Sequence, residues 1–341
     1  SPQDKYYYTT DVFTDKALSW LDEPETQERP FFLYLAYTAP HYPLHAWPED
    51  IKKYKGVYDV GYQEIQRARY QRQIDMNLIN PDEAPLPDSP VPKPWSDVQG
   101  EEREKEIKRM QIYAAMLDRV DQNIGRILEK LKAQGKLDNT LIMFASDNGA
   151  CAEGANAKFA STKLEDFGTV ASYETVGEDW ATVQNTPLRF WKNYTHEGGI
   201  CTPLVAYWPG QIKNGGGFYR EPVHFIDIMS TVVDLSGATY PQTFRGASVT
   251  PMQGTSLRPA FGNQPLQRQK PLYWKWSRGG GIRDDDTKAV FYNDEWELYD
   301  LESDRNETQN LATSTPGTLD SLQTRWREWY RSVKDSISSM P

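Results

Sequence analysis

The run Pro-Phe-Phe-Leu-Tyr-Leu-Ala-Tyr at 30–37 stops abruptly at Thr38-Ala39-Pro40-His41-Tyr42-Pro43. An apolar, aromatic stretch of strand length that ends in a Pro-His-x-Pro turn predicts a buried strand delivering a histidine to a loop at its C-terminal end. A chain with such a strand is bound to a sheet-containing fold, and in open α/β sheets ligands bind at that edge. Leu141 to Ser146 repeats the device, running into Asp147-Asn148-Gly149. A third polar loop, Lys192 to Gly199, leads into the apolar Ile200 to Trp208. Three polar loops, each beside an apolar strand, predict one shared site.

Between these landmarks the chain alternates helix and strand. Asp11 to Leu21 reads as a helix capped by Asp11, with Phe13, Ala17 and Leu21 at four-residue intervals. Residues 49–75 mix charge with scattered aromatics and predict helical excursions over the surface. Residues 81–95 hold six prolines and predict an extended insertion. Glu101 to Gln134 is the clearest helix, its stripe formed by Ile107, Met110, Ala114, Leu117, Val120, Ile124, Leu128 and Leu131. Acidic residues at its start and lysines near its end suit the helix dipole, and Gly135 is a natural stop. His224 to Leu235 and Ser321 to Ile337 read as helices. Leu272 to Trp276, Ala289 to Tyr292 and Trp296 to Tyr299 read as short strands. This grammar predicts an α/β domain over 1–262 and a small antiparallel-sheet-and-helix subdomain over 263–341.

The formal net charge of −10 disfavours nonspecific nucleic-acid binding, which rests on neutralising phosphates. It leaves room for a small anionic substrate in a local cationic pocket. No run of about 18 apolar residues predicts a membrane span. The two cysteines, Cys151 and Cys201, form no CxxC pair, so a thiolate zinc site is not expected. A disulfide or two free thiols both fit. The many Trp and Tyr residues fit core packing or a carbohydrate surface.

Each motif has an ordinary reading beside a functional one. Asp147-Asn148-Gly149 is a common turn, or a carboxylate and an amide oxygen facing one Ca²⁺ or Mg²⁺. His41 is an ordered loop histidine, or a proton donor to a leaving oxygen. His45 reads as a surface residue. Lys192, between Trp191 and Tyr194 with Arg189 close by, is a solvated lysine or a clamp for anionic oxygens. The sequons at Asn193 and Asn306 read as chance matches, Asn306 being the better acceptor in a secreted context. Arg283 and Lys288 read as solvated surface charge, with a place at the pocket mouth as the alternative.

Taken together these residues resemble the formylglycine-dependent sulfatases of the alkaline-phosphatase superfamily. The ordered matches are Tyr8-Thr9-Thr10-Asp11, Pro30-Phe31-Phe32-Leu33, Ala39-Pro40-His41-Tyr42-Pro43-Leu44 and Ser146-Asp147-Asn148-Gly149. They continue through Asn185-Thr186-Pro187-Leu188-Arg189 with Lys192, His196-Glu197-Gly198-Gly199-Ile200 and Trp208-Pro209-Gly210. Trp296-Glu297-Leu298-Tyr299-Asp300-Leu301 with Asp304-Arg305-Asn306-Glu307 completes them. The resemblance implies an alkaline-phosphatase-like sandwich with a mixed, mostly parallel central sheet flanked by helices. It implies Asp147 and Asn148 as metal ligands, with calcium expected and magnesium the alternative. It implies catalytic roles for His41 and Lys192, and substrate contacts from His196 and Arg189. In such enzymes a hydrated formylglycine attacks sulfur and the alcohol departs.

The family's nucleophile motif, Cys-x-Pro-Ser-Arg or Ser-x-Pro-Ser-Arg, is absent: Cys151 precedes Ala152-Glu153-Gly154 and Cys201 precedes Thr202-Pro203-Leu204. The N-terminal Asp-Asp metal pair and the Lys/His anion clamp are absent too. The resemblance therefore implies the C-terminal part of a sulfatase, whose formylglycine and remaining ligands come from a missing N-terminal segment. The chain alone is expected to be inactive. Expected substrates are sulfated carbohydrates or aryl sulfates, and the expected location is secreted or periplasmic, lysosomal in a eukaryote. The competing functions are a phosphodiesterase or phosphonate hydrolase of the same superfamily, and a non-catalytic sulfatase-like binding module.

Overall fold

The computed structural model describes residues 7–89, 91–154, 160–213 and 215–338. In chain order the helices and strands begin with α1 (Thr9–Leu21), α2 (Pro24–Glu28), α3 (Pro48–Lys53), α4 (Tyr62–Asp75), α5 (Gly100–Ala133) and β1 (Ile142–Ala145). There follow α6 (Gly177–Asn185), α7 (Glu197–Ile200), β2 (Leu204–Tyr207), α8 (Ile226–Ser236), β3 (Thr243–Phe244), β4 (Ala247–Ser248) and α9 (Arg258–Phe261). The last are β5 (Leu272–Trp276), β6 (Gly279–Asp284), β7 (Thr287–Tyr292), β8 (Glu295–Asp300) and α10 (Pro316–Ser338).

By packing, the chain forms two compact units that do not follow a single cut at residue 262. One comprises Ser1–Leu137, Asp147–Thr202 and Ser303–Thr308, the other Asp138–Ser146, Pro203–Glu302 and Gln309–Pro341. Two interactions explain the interleaving. β1 pairs antiparallel with β2, Ile142 opposite Tyr207, which ties 142–145 to the second unit. Residues 303–308 join the first unit, where the Arg305 amide donates to the Glu83 carbonyl at 2.8 Å and Asn306 Nδ2 to the Pro85 carbonyl.

The first unit is built around α5. Met110, Ile112, Ala115 and Met116 pack with Leu44, Ile51, Tyr62, Val98, Phe167, Val176, Trp180 and Val183 in one core. Ile112, Ala115 and Met116 lie off the predicted stripe, whereas Leu117, on the stripe, is 41% exposed. The helix buries a wider arc than one stripe because α1 and α3 both pack along it. Trp180 anchors this core: fully buried, it meets Tyr62 and Tyr58 edge-on and donates its indole N–H to the Glu106 carbonyl at 3.1 Å. The helix ends as expected, with Gly135 at φ +67°. α1 starts two residues earlier than predicted, and Asp11 is no cap. It sits in the first turn and accepts bonds from Trp47 Nε1 and Asn123 Nδ2.

The apolar run at 31–37 forms no strand. It has no ladder partner among the described residues, and exposure alternates along it, with Phe32 at 69% and Tyr34 at 80%. This is the period-two signature of an extended chain with one face uncovered. The strand composition was legible; the pairing that makes a strand is a tertiary property. Parallel pairing among the described residues is limited to the isolated bridges His45–Gly168 and Ser161–Ser172.

In the second unit, β5 to β8 form an antiparallel meander against which α10 packs. Leu322 and Trp326 of α10 reach Ile282, Ala289, Phe291 and Leu298. β6 escaped the sequence reading because Gly279-Gly280-Gly281 looks like a loop. The glycines serve space: a Cβ on Gly280 would lie 2.5 Å from the Phe291 ring and 2.8 Å from Trp326. Arg283 and Lys288 correct the surface-charge reading, since they are 8% and 0% exposed. Arg283 donates to the Asp285 carbonyl and the Asp286 carboxylate, and Lys288 lies 5.9 Å from the Trp274 ring. Of the proline-rich insertion at 81–95, Pro90 lies outside the described residues; the rest is irregular, with one 3₁₀ turn beginning at Trp95.

Trp180→Ala removes the largest buried side chain of the first core, and stability falls by about 3–5 kcal/mol in urea denaturation.

Candidate active site

Asp147-Asn148-Gly149 follows β1 as a turn whose position is set by close backbone approach. The Gly149 amide donates to the Gly199 carbonyl at 3.0 Å. A Cβ on Gly149 would lie 1.8 Å from the Gly198 carbonyl oxygen, so no other residue fits. The Asp147 carboxylate is exposed, and Asn148 Nδ2 donates to the Gly149 carbonyl. That bond commits the amide nitrogen and turns the amide oxygen away from it. A carboxylate and an amide oxygen are hard donors suited to calcium or magnesium, but calcium takes six to eight oxygens. No cluster of three or more His, Cys, Asp or Glu side chains with metal-binding geometry exists among the described residues. The pair offers two such oxygens.

Asn185, at the end of α6, holds this turn to two other loops. Its Oδ1 accepts the Ala150 amide at 3.0 Å. Its Nδ2 donates to the carbonyls of Phe190 at 2.8 Å and Gly198 at 2.6 Å. The Lys192 amide donates to the Ala150 carbonyl at 2.9 Å, so the lysine loop and the aspartate loop run side by side. Phe190 adopts φ +60°, a strained conformation for an aromatic residue, and its ring stacks on Tyr194 at 4.3 Å.

His41 and Lys192, 151 residues apart, meet: Lys192 Nζ lies 3.0 Å from His41 Nε2. An ammonium only donates, so Nε2 is the acceptor. His41 Nδ1 donates to the Tyr42 carbonyl at 2.8 Å, which fixes the tautomer consistently. Sequence reasoning missed the third member of this cluster. Glu153 Oε2 accepts from the Tyr42 hydroxyl at 2.6 Å and Cys151 Sγ at 3.3 Å, and lies 3.7 Å from Lys192 Nζ. Its Oε1 accepts from Asn193 Nδ2 at 3.2 Å. These donors, the Tyr42 hydroxyl foremost, hold the Glu153 carboxyl down to about 2, and the same bond pushes the Tyr42 phenol up to about 12. Glu153 lies in a polar stretch without periodicity, where no pattern singles it out.

The other two expected contacts sit differently. His196 is 3% exposed, packed against Phe190 and Tyr194 at ring distances of 4.8 and 6.1 Å. Arg189 donates to the Glu307 carbonyl and lies over the Phe190 ring at 4.9 Å. Both groups take part in packing the loop. Glu307, fully buried, accepts the Glu197 amide at 2.7 Å, and Arg305 pairs with Glu197 at 3.5 Å. His45 is no free surface residue: it contacts the Ser172 carbonyl at 2.9 Å through Nε2. Asn306 is fully buried, closed to a glycan. Cys151 and Cys201 are free thiols.

A family model described as Sulfatase matches residues 1–238. The chain belongs to the sulfatase family. A second model, N-sulphoglucosamine sulphohydrolase, C-terminal, matches residues 188–329 of this sulfatase-family chain. An uncharacterized sulfatase of Schizosaccharomyces pombe is 33% identical, the match covering 94% of this chain and 61% of that protein. An arylsulfatase of Klebsiella aerogenes is also 33% identical, over 74% of this chain and 55% of its own length. The chain thus spans a little over half the length of these relatives. The crystal structure of Ps i-CgsB superposes with a TM-score of 0.62 at 26% identity, covering 94% of this chain and 55% of that one. Phosphonate monoester hydrolase from Silicibacter pomeroyi shares the fold, with a TM-score of 0.52 at 20% identity over 98% of this chain and 60% of its own. The architecture is α/β of the alkaline-phosphatase-like type.

Asn185→Ala leaves the Ala150 amide without its partner, and hydrogen exchange at that amide accelerates by about 5- to 150-fold, matching about 1–3 kcal/mol for a lost hydrogen bond. Glu153, with its lowered pKa, stabilises the fold above the ordinary carboxylate range near 4.5, and that contribution is lost as pH falls toward about 2. Thermal melts of wild type and Glu153→Gln therefore converge on acidification.

Proposed function

We propose that this chain is the larger part of a calcium-dependent sulfatase acting on sulfated carbohydrates, with His41 and Lys192 gripping the ester oxygens. The supporting observation is the 3.0 Å approach of Lys192 Nζ to His41 Nε2, on a loop whose backbone is bonded to that of the Asp147-Asn148 turn. A sulfate ester placed there meets an ammonium that can donate to its anionic oxygens. The Tyr42 carbonyl holds His41 Nδ1–H, so a proton taken up at Nε2 points at the same place. As the S–O bond breaks, its electron pair stays on the leaving oxygen, which takes the Nε2 proton and departs as the alcohol.

Asp147 and Asn148 would supply two oxygens to the cation, and ligands outside these residues would complete its shell. Calcium would draw charge from the sulfate oxygens, and formylglycine, from polypeptide beyond this chain, would furnish the attacking oxygen. What supports that division is length: the chain spans a little over half of its relatives. Carbohydrate as the substrate rests on kinship. A Bacteroides thetaiotaomicron protein named N-acetylglucosamine-6-O-sulfatase is 26% identical over 89% of this chain and 58% of its own length. A secreted or periplasmic location belongs to the same proposal; among the described residues no helix is long and apolar enough to cross a membrane.

Isolated, the chain releases no sulfate from 4-nitrophenyl sulfate with calcium present, and clear turnover overturns the division of labour. In a polypeptide extended to the length of its relatives, Lys192→Ala and His41→Ala each lower kcat by about 10²–10⁴-fold. Unchanged rates in both would sink the assignment.

A further inference from the structure

We propose that Glu153 sorts ligands by charge, favouring singly charged ester anions over doubly charged ones. The inference rests on the anion-binding reading of His41 and Lys192 and extends it to a residue that reading does not use. Glu153 is held from three directions. Tyr42 comes from the histidine loop, Asn193 from the lysine loop, and Cys151 from the segment following the aspartate turn. Both carboxylate oxygens are engaged by donors, so the group cannot swing away when a ligand arrives. Its Oε2 stays 3.7 Å from the Lys192 ammonium, the cation that the proposed site offers to an anion.

The consequence follows from Coulomb's law. Lys192 attracts an incoming anion and Glu153 repels it, and both interactions scale with ligand charge. A carboxylate beside the attracting cation cancels part of its field, so the site gains little from a second negative charge. A sulfate monoester carries one charge. A phosphate monoester has the same tetrahedral shape and carries close to two above neutral pH. Shape cannot separate these ligands, whereas a fixed carboxylate can. The Glu153 side chain is 35% exposed, and water there screens the effect to about tenfold per added ligand charge. In a purely structural role, Glu153 would matter for loop order alone, and its charge would have no bearing on ligand preference.

The test is a pair of NMR titrations of the 341-residue chain at about pH 8, with 4-nitrophenyl sulfate and 4-nitrophenyl phosphate as probes. Wild type prefers the sulfate. Glu153→Gln keeps an acceptor for the Tyr42 hydroxyl and removes the charge, and it raises phosphate affinity relative to sulfate by about tenfold. Glu153→Ala shifts the ratio the same way, while Tyr42→Phe, which removes a hydrogen bond and keeps the charge, leaves it unchanged. A ratio identical in wild type, Glu153→Gln and Glu153→Ala overturns the inference and leaves the anion site standing. Wild type binding neither probe overturns the anion site and the inference together.

Discussion

The first unit's candidate site depends on one constraint: three backbone segments must pass one another at contact distance. Gly149 approaches Gly198 so closely that a single added carbon is excluded. Asn185 fills the junction, giving one acceptor and two donors to three different loops. Everything chemical hangs from that junction. Asp147 and Asn148 precede Gly149, Lys192 is bonded through its own amide to Ala150, and His196 begins the turn that supplies the Gly198 and Gly199 carbonyls. The junction is polar and internal to the chain, which lets loops hold a fixed geometry without a strand beneath each of them.

Around it, charge is arranged so that cations are rarely left alone. Lys192 faces His41 and Glu153, Arg305 faces Glu197, and Arg109 joins Glu106 and Glu174 in the core. The second unit follows the same rule. Asp227, fully buried, accepts from Arg268, from the His224 amide and from the Thr255 amide. Removing either partner of such a pair strands the other in a low dielectric, at a cost of about 3–5 kcal/mol.

Periodic features were legible in the sequence, and contingent ones were not. α5 declared itself through apolar spacing, α8 and α10 were also readable as helices, and Gly135 marked the end of α5, at positive φ. β5, β7 and β8 were readable from short aromatic runs. The Asp-Asn-Gly turn, His41 and Lys192 stood out because polar loops beside apolar runs are informative. Glu153 carries no such mark, because its importance lies in its bond to Tyr42, 111 residues away along the chain. The strand expected at 31–37 failed for the opposite reason: its composition is right, and a ladder needs a neighbour. Arg283 and Lys288 misled because charge predicts exposure only until the fold encloses it.

Residues 303–308 carry a consequence for how such a protein can be cut and rejoined. Asp304, Asn306 and Glu307 are at most 5% exposed within a unit whose other members all precede residue 203. Shuffling, nicking or truncating the chain at any point between 203 and 302 parts this hexapeptide from the amide of Glu197 that Glu307 holds. Along the sequence the two units are therefore interleaved, and a break in 203–302 costs the first unit a buried segment of its own.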